Sequence, residues 1–64
     1  MKINGVVCTC SPGMTVLSLL AQRGHDPQRV AVERNGQIVP RARFGEETLH
    51  EDDVIEIVQF VGGG

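Results

Sequence analysis

The sequence predicts an α+β fold: a mixed sheet of four to five strands, one main helix packed on one face, and a flexible C-terminal glycine tail. Three observations lead there. Asn4-Gly5 and Asn35-Gly36 each sit between short β-rich runs, and Asn-Gly supplies the positive φ angles of a type I′ hairpin turn. One segment, beginning after Pro12-Gly13, spaces its apolar residues as a helix does. A last stretch, 54–61, alternates as a strand and runs into Gly62, Gly63 and Gly64.

In order, residues 2–10 read as a hairpin, with Val6-Val7-Cys8 returning after the turn, and Ser11-Pro12-Gly13 breaks the strand. Thr15 can cap a helix through its hydroxyl, but Ser18 rather than Glu stands at the third position, so the capping box reads as incomplete. Val16, Leu17 and Leu20 fall on one helix face with Leu19 at its margin. Arg23 sits in the last turn, and Gly24 is a natural C-cap. A helix this short is marginal alone and must be held by packing on the sheet. His25-Asp26-Pro27 is a turn; His25 and His50 both read as surface residues. Val30 to Arg34 is a strand, and the second hairpin pairs Val32 with Val39 on one face and Glu33 with Ile38 on the other. Pro40 cannot donate to a ladder, so that strand ends there, near an edge. Phe44 and Leu49 are the inward anchors of the mixed stretch that follows, and Glu51-Asp52-Asp53 is a turn.

At 64 residues the chain is one domain at most, and its core must be economical. The apolar share, 41%, suffices for a globular core. Two Phe, no Trp and no Tyr argue against a base-stacking module, and a net charge of -2 counts against a phosphate-backbone binder. No nucleic-acid partner is expected. Neither is a membrane one: there is no apolar run long enough to span a bilayer and no signal-peptide pattern, so the expected location is cytoplasmic. Charge is divided along the chain. All six bases precede residue 44, while six of the eight acids fall between 46 and 56. That acidic half suits a basic docking partner; a solvated turn kept soluble by its acids explains it equally well. Cys8 and Cys10 lie two apart, a poor geometry for a disulfide. The favoured reading is small, half-buried strand residues in a reducing compartment. A metal site would need His25 and His50 as well, at a spacing that fits no familiar site; redox or metal roles are the minor alternative.

The end of the chain carries the functional signal. Ile55 and Ile57 should face the core, which leaves Glu56, Val58 and Phe60 facing out. An outward Val and Phe would form an apolar patch, the usual mark of an interface. The alternative is a strand covered on both faces, which so short a chain with one helix achieves with difficulty. Three glycines after a rigid strand make a thin arm reaching on the order of 10 Å. The group at its tip is the α-carboxylate of Gly64. The reading is therefore a folded domain, 1–61, that presents a tail, 62–64, expected to be mobile when unbound.

The order of elements resembles the β-grasp fold of ubiquitin-like proteins. The stretch 30–41 (Val-Ala-Val-Glu-Arg-Asn-Gly-Gln-Ile-Val-Pro-Arg), the turn and strand 51–58, and the ending Phe60-Val-Gly-Gly-Gly64 resemble, more narrowly, the ThiS family of sulfur carriers in thiamine biosynthesis. Gly63 and Gly64 match that family's terminal pair, and Gly62 extends it. The resemblance implies that a ThiF-like adenylyltransferase, related to ubiquitin-activating enzymes, uses ATP and magnesium to adenylate the Gly64 carboxylate. Sulfur delivered as a persulfide by a cysteine desulfurase then replaces the adenylate, giving a thiocarboxylate. Thiazole synthase, ThiG, takes that sulfur to build the thiazole ring. Gly62 and Gly63 would enter the partner's active site, and Val58, Phe60 and Glu56 would form the docking patch. The chain would bind no cofactor or metal, catalyse nothing itself, and be a monomer when free. Three other readings use the same features: a ubiquitin-like modifier joined to lysines, the small subunit of molybdopterin synthase, and a docking module whose glycines are incidental.

Overall fold

The computed structural model of the 64-residue chain describes residues 1–60. Five strands form one mixed sheet: β1 (Lys2–Ile3), β2 (Val6–Val7), β3 (Val30–Arg34), β4 (Gln37–Ile38) and β5 (Val54–Gln59), in the spatial order β2-β1-β5-β3-β4. The two hairpins are antiparallel, β5 runs antiparallel to β3, and β1 runs parallel to β5. One helix, α1 (Val16–Gln22), crosses between β2 and β3, as a parallel β1–β5 pairing with intervening chain requires. Two short 3-10 turns, Pro27–Arg29 and Arg41–Arg43, precede β3 and follow β4. This is the β-grasp arrangement.

Both Asn-Gly pairs are type I′ in character, with φ of 50° and 84° at Asn4 and Gly5 and 53° and 82° at Asn35 and Gly36. The expected register of the second hairpin holds: Glu33 lies opposite Ile38, and the Val39 amide donates to the Val32 carbonyl at 2.9 Å. β4 is an edge strand, as Pro40 requires. Phe44 and Leu49 are both buried, as expected of the anchors.

Four local expectations need correction. The capping box closes without Glu: the Ser18 amide donates to Thr15 Oγ1 at 3.1 Å, and the Thr15 amide donates back to Ser18 Oγ at 2.9 Å. A hydroxyl accepts that bond as a carboxylate would. The buried face of α1 is Val16, Leu19 and Leu20, whereas Leu17 is 43% exposed, so the inward stripe is turned by one residue from the Val16–Leu17–Leu20 assignment. Cys8 and Cys10 follow β2 rather than belonging to it. β1 is too short to pair beyond one further bond, from the Cys8 amide to the Met1 carbonyl, so the returning strand ends at Val7. Cys8 is half-buried, Cys10 is buried, and both are free thiols. His50 is exposed, whereas His25 is half-buried rather than on the open surface.

The core lies between α1 and the inner face of the sheet. Val16 and Leu20 of the helix join Ile3, Val30, Val32 and Ile55 of the strands in one cluster, each at most 2% exposed. Among the described residues nothing comparable covers the other face. The sheet therefore has a wet side, and β5, though central in strand order, has a bare one.

Candidate functional site

The outer face of β5 and the glycines beyond it are the site the sequence points to. Gly62, Gly63 and Gly64 lie outside the described residues, as does Val61; the face that leads to them is described.

From Val54 to Val58 the burial alternates as predicted; Gln59, inward by the same alternation, is exposed. Ile55 and Ile57 are buried, Glu56 is exposed, and Val58 and Phe60 are 54% and 56% exposed. The register spreads this face sideways. Val54 lies opposite Lys2, which in turn lies opposite Val7, and both valines are exposed. Val58 lies opposite Ala31, and Glu56 opposite Glu33, which pairs with exposed Ile38. The result is an open apolar surface crossed at its middle by two glutamates. Like charges directly opposite on a sheet cost stability. Among the described residues neither glutamate is in an ion pair. A surface that pairs exposed apolar residues with unneutralised acid suits a partner surface that is apolar and basic.

Side chains fix the base of this site. Asn4, at the β1 turn, uses its carboxamide as a further rung beside β5: the Ile57 amide donates to Asn4 Oδ1 at 2.7 Å, and Asn4 Nδ2 donates to the Ile57 carbonyl at 3.2 Å. On the other side, the Phe60 amide donates to the Arg29 carbonyl at 2.8 Å, the last bond the described strand makes.

The beginning of β5 is held by Asp53, whose sequence context predicts only a turn residue. Its carboxylate is almost buried and accepts from Arg34 Nε, Asn35 Nδ2 and the His50 amide at 3.0, 3.0 and 2.8 Å. Arg34 also donates to Glu47 at 2.8 Å. Burial is the largest single influence on the Asp53 carboxyl and opposes its charge. The hydrogen bonds from Asn35 and His50 and the Arg34 guanidinium together outweigh it, so the carboxyl is held below the usual carboxylate range. Arg34 is pushed up, chiefly by its bond to Glu47, against the opposing effect of burial. Of the Asp53 partners only the His50 amide is near in sequence; Asn35 and Arg34 stand 18 and 19 residues away, and Asn4 stands 53 residues from Ile57, so no local signal marks these longer bonds.

The other residues singled out from the sequence do not converge. Arg23 Nη2 stands 3.7 Å from Cys8 Sγ, a weak contact. Among the described residues, no group of three His, Cys, Asp or Glu side chains is placed to hold a metal ion.

A five-stranded sheet of this order, with one helix on one face and the central strand leading toward glycines, defines a ubiquitin-like β-grasp protein. Within that class the chain belongs to the ThiS family, which it matches over residues 1–64. It is 48% identical over 50 residues to the sulfur carrier protein ThiS of Bacillus subtilis, covering 78% of this chain and 76% of that protein. It is 45% identical over 64 residues to a thiazole synthase of Paramagnetospirillum magneticum, a match that takes in all of this chain but 20% of that protein. The chain thus spans about a fifth of the length of the thiazole synthase it matches. The crystal structure of the thiamine biosynthesis protein ThiS from Geobacter metallireducens is similar at a TM-score of 0.78 and 32% identity, over 98% of this chain and 96% of that one.

Proposed function

We propose that this protein is a sulfur carrier for thiamine biosynthesis and acts as a cosubstrate rather than an enzyme. The observation that carries the reading is the bare outer face of β5: Glu56, Val58 and Phe60 stand exposed immediately before the glycines, in a chain of the ThiS family. The face docks and the tail reacts.

The chemistry follows from the tail's end group. A terminal carboxylate has a pKa of about 3.5, so at neutral pH it is anionic and a poor electrophile. A ThiF-like adenylyltransferase overcomes this with ATP and magnesium. A carboxylate oxygen of Gly64 attacks the α-phosphorus, pyrophosphate leaves, and the acyl-adenylate forms. The terminal sulfur of a persulfide, supplied by a cysteine desulfurase or a similar donor, attacks the carbonyl carbon and AMP leaves. A thiol then cleaves the resulting acyl disulfide, supplying two electrons, and the thiocarboxylate remains. Gly62 and Gly63 let the arm enter a narrow active site that a β-carbon would obstruct. Thiazole synthase, ThiG, is the acceptor of the sulfur, a role supported by the matching stretch within thiazole synthases. The chain supplies no acid, base or metal to any step. The helices of the described residues include none long and apolar enough to cross a membrane, and the reactions place the carrier in the cytoplasm with its partners.

Deleting Gly63 and Gly64 in the host tests this reading. The expected result is loss of growth without thiamine and recovery when thiamine is supplied. Growth of the deletion strain without thiamine would make the glycines incidental and leave a docking module.

A further inference from the structure

The end of β4 leaves an edge that the main chain does not complete. Extending the Ile38–Glu33 register by three residues puts Arg41 opposite Val30. On β3, Val32 turns its carbonyl toward β4, where the Val39 amide meets it. By the alternation of an antiparallel ladder, the next carbonyl on that side belongs to Val30. Pro40 has no N–H to offer, and after it the chain turns into the 3-10 turn Arg41–Arg43, so no strand continues alongside.

The Arg41 side chain takes the missing strand's place. Its Nη2 donates to the Val30 carbonyl at 3.1 Å, and its Nε donates to the Pro27 carbonyl at 2.8 Å. A guanidinium can bridge two carbonyls in this way because its donors are fixed in one plane. Between those two anchor points lies Arg29. Its carbonyl points to the opposite side, toward β5, and accepts from the Phe60 amide at 2.8 Å. Arg29's own side chain adds only an exposed contact of 3.6 Å with Asp26. One guanidinium thus clamps segment 27–30 from the β4 side, and the same segment holds Phe60, the residue after β5, from the other.

We propose that Arg41 is a positioning residue for the reactive end of the chain: by clamping segment 27–30 it fixes the Arg29 carbonyl, and so the point and direction in which the chain leaves the sheet toward Gly64. The inference rests on the carrier reading. It adds a residue outside both the docking face and the tail. Arg41 acts through its bonds to the Pro27 and Val30 carbonyls, which limit the range of directions from which the tail starts. Losing it transfers an ordering cost to the encounter with the activating enzyme, so the effect falls on KM for the carrier and spares kcat.

The test compares the wild-type chain, Arg41→Ala and Arg41→Lys in two measurements. The first is amide hydrogen exchange. In Arg41→Ala, Phe60 is expected to exchange on the order of tenfold faster, while Ile57, held by Asn4, keeps its protection. The second is ATP–pyrophosphate exchange catalysed by the host's ThiF-like adenylyltransferase. KM for the carrier is expected to rise about tenfold at unchanged kcat, the equivalent of one charge-assisted hydrogen bond. Arg41→Lys, which keeps the charge but loses the planar fork, is expected to fall between the two and also guards against a misfolded alanine variant. Unchanged Phe60 exchange would overturn the clamp. Faster Phe60 exchange with unchanged KM would overturn its role in positioning. If the wild-type chain itself supports no pyrophosphate exchange, the carrier reading fails, and Phe60 exchange then decides whether the clamp exists at all.

Discussion

The two faces of β5 differ as much as any two parts of this molecule. Ile55 and Ile57 point into the cluster beneath α1 and are buried, while Val58, on the same strand, and Phe60, just past its end, are more than half exposed. All four are apolar, so hydrophobicity alone does not tell core from interface. The alternation of the strand does, together with the presence of only one helix to cover one face. The inner residues are there for the fold. The outer ones stand more than half exposed, and under the proposed function they form the docking face.

The sharpest way to break this comparison is to truncate one residue from each face. Ile55→Ala should lower unfolding stability by about 3–4 kcal/mol, the cost of a buried isoleucine in a well-packed core. Val58→Ala should change it by less than about 0.5 kcal/mol, as exposed positions do. Chemical denaturation of the two variants would show it, and equal losses would place both faces in the core. Next in size is Asp53→Asn, which leaves Arg34 with one carboxylate partner fewer in a largely buried site. A loss of about 2–3 kcal/mol is expected by the same measurement. Its pH dependence sharpens the point. Because the Asp53 carboxyl is held below its ordinary range in the folded chain, its contribution is present above the unfolded-state value of about 4 and is lost as pH falls through the folded value. The wild-type chain should therefore lose stability between neutral pH and pH 3 more steeply than Asp53→Asn. Parallel curves would remove Asp53 as a cause. The smallest effect on stability belongs to Phe60→Asp, which should leave the unfolding midpoint almost unmoved yet weaken binding to the adenylyltransferase on the order of tenfold or more, as loss of an aromatic anchor does. Unchanged affinity by titration calorimetry would remove Phe60 from the docking face.

How much of this was legible in the sequence depended on how local its causes were. Asn4-Gly5 and Asn35-Gly36 announce their turns because φ is set within each pair. The in-and-out order of 55–58 follows from strand geometry, and so does the bare face. The capping box was misjudged for a small reason, since the hydroxyl of Ser18 accepts the Thr15 amide where a longer acid was expected. Leu17 and Leu19 exchanged roles because a short helix can be rotated by its packing with little change in its own pattern. The bonds that complete the site were beyond local reading. Asn4 reaches Ile57, Asp53 collects Arg34 and Asn35, and Arg41 spans Pro27 and Val30, each only after the fold has brought distant segments together. Sequence supplied the strand and its faces; the side chains that anchor its two ends required the structure.

The central claim concerns Gly64, and one measurement reaches it directly: the intact mass of the protein, taken after incubation with its adenylyltransferase, ATP and a persulfide donor, with fragmentation to locate any change. The account predicts a shift that matches the exchange of one oxygen for one sulfur, confined to Gly64. A conjugate to a lysine would contradict it in favour of a protein modifier, and an unchanged mass would contradict it outright.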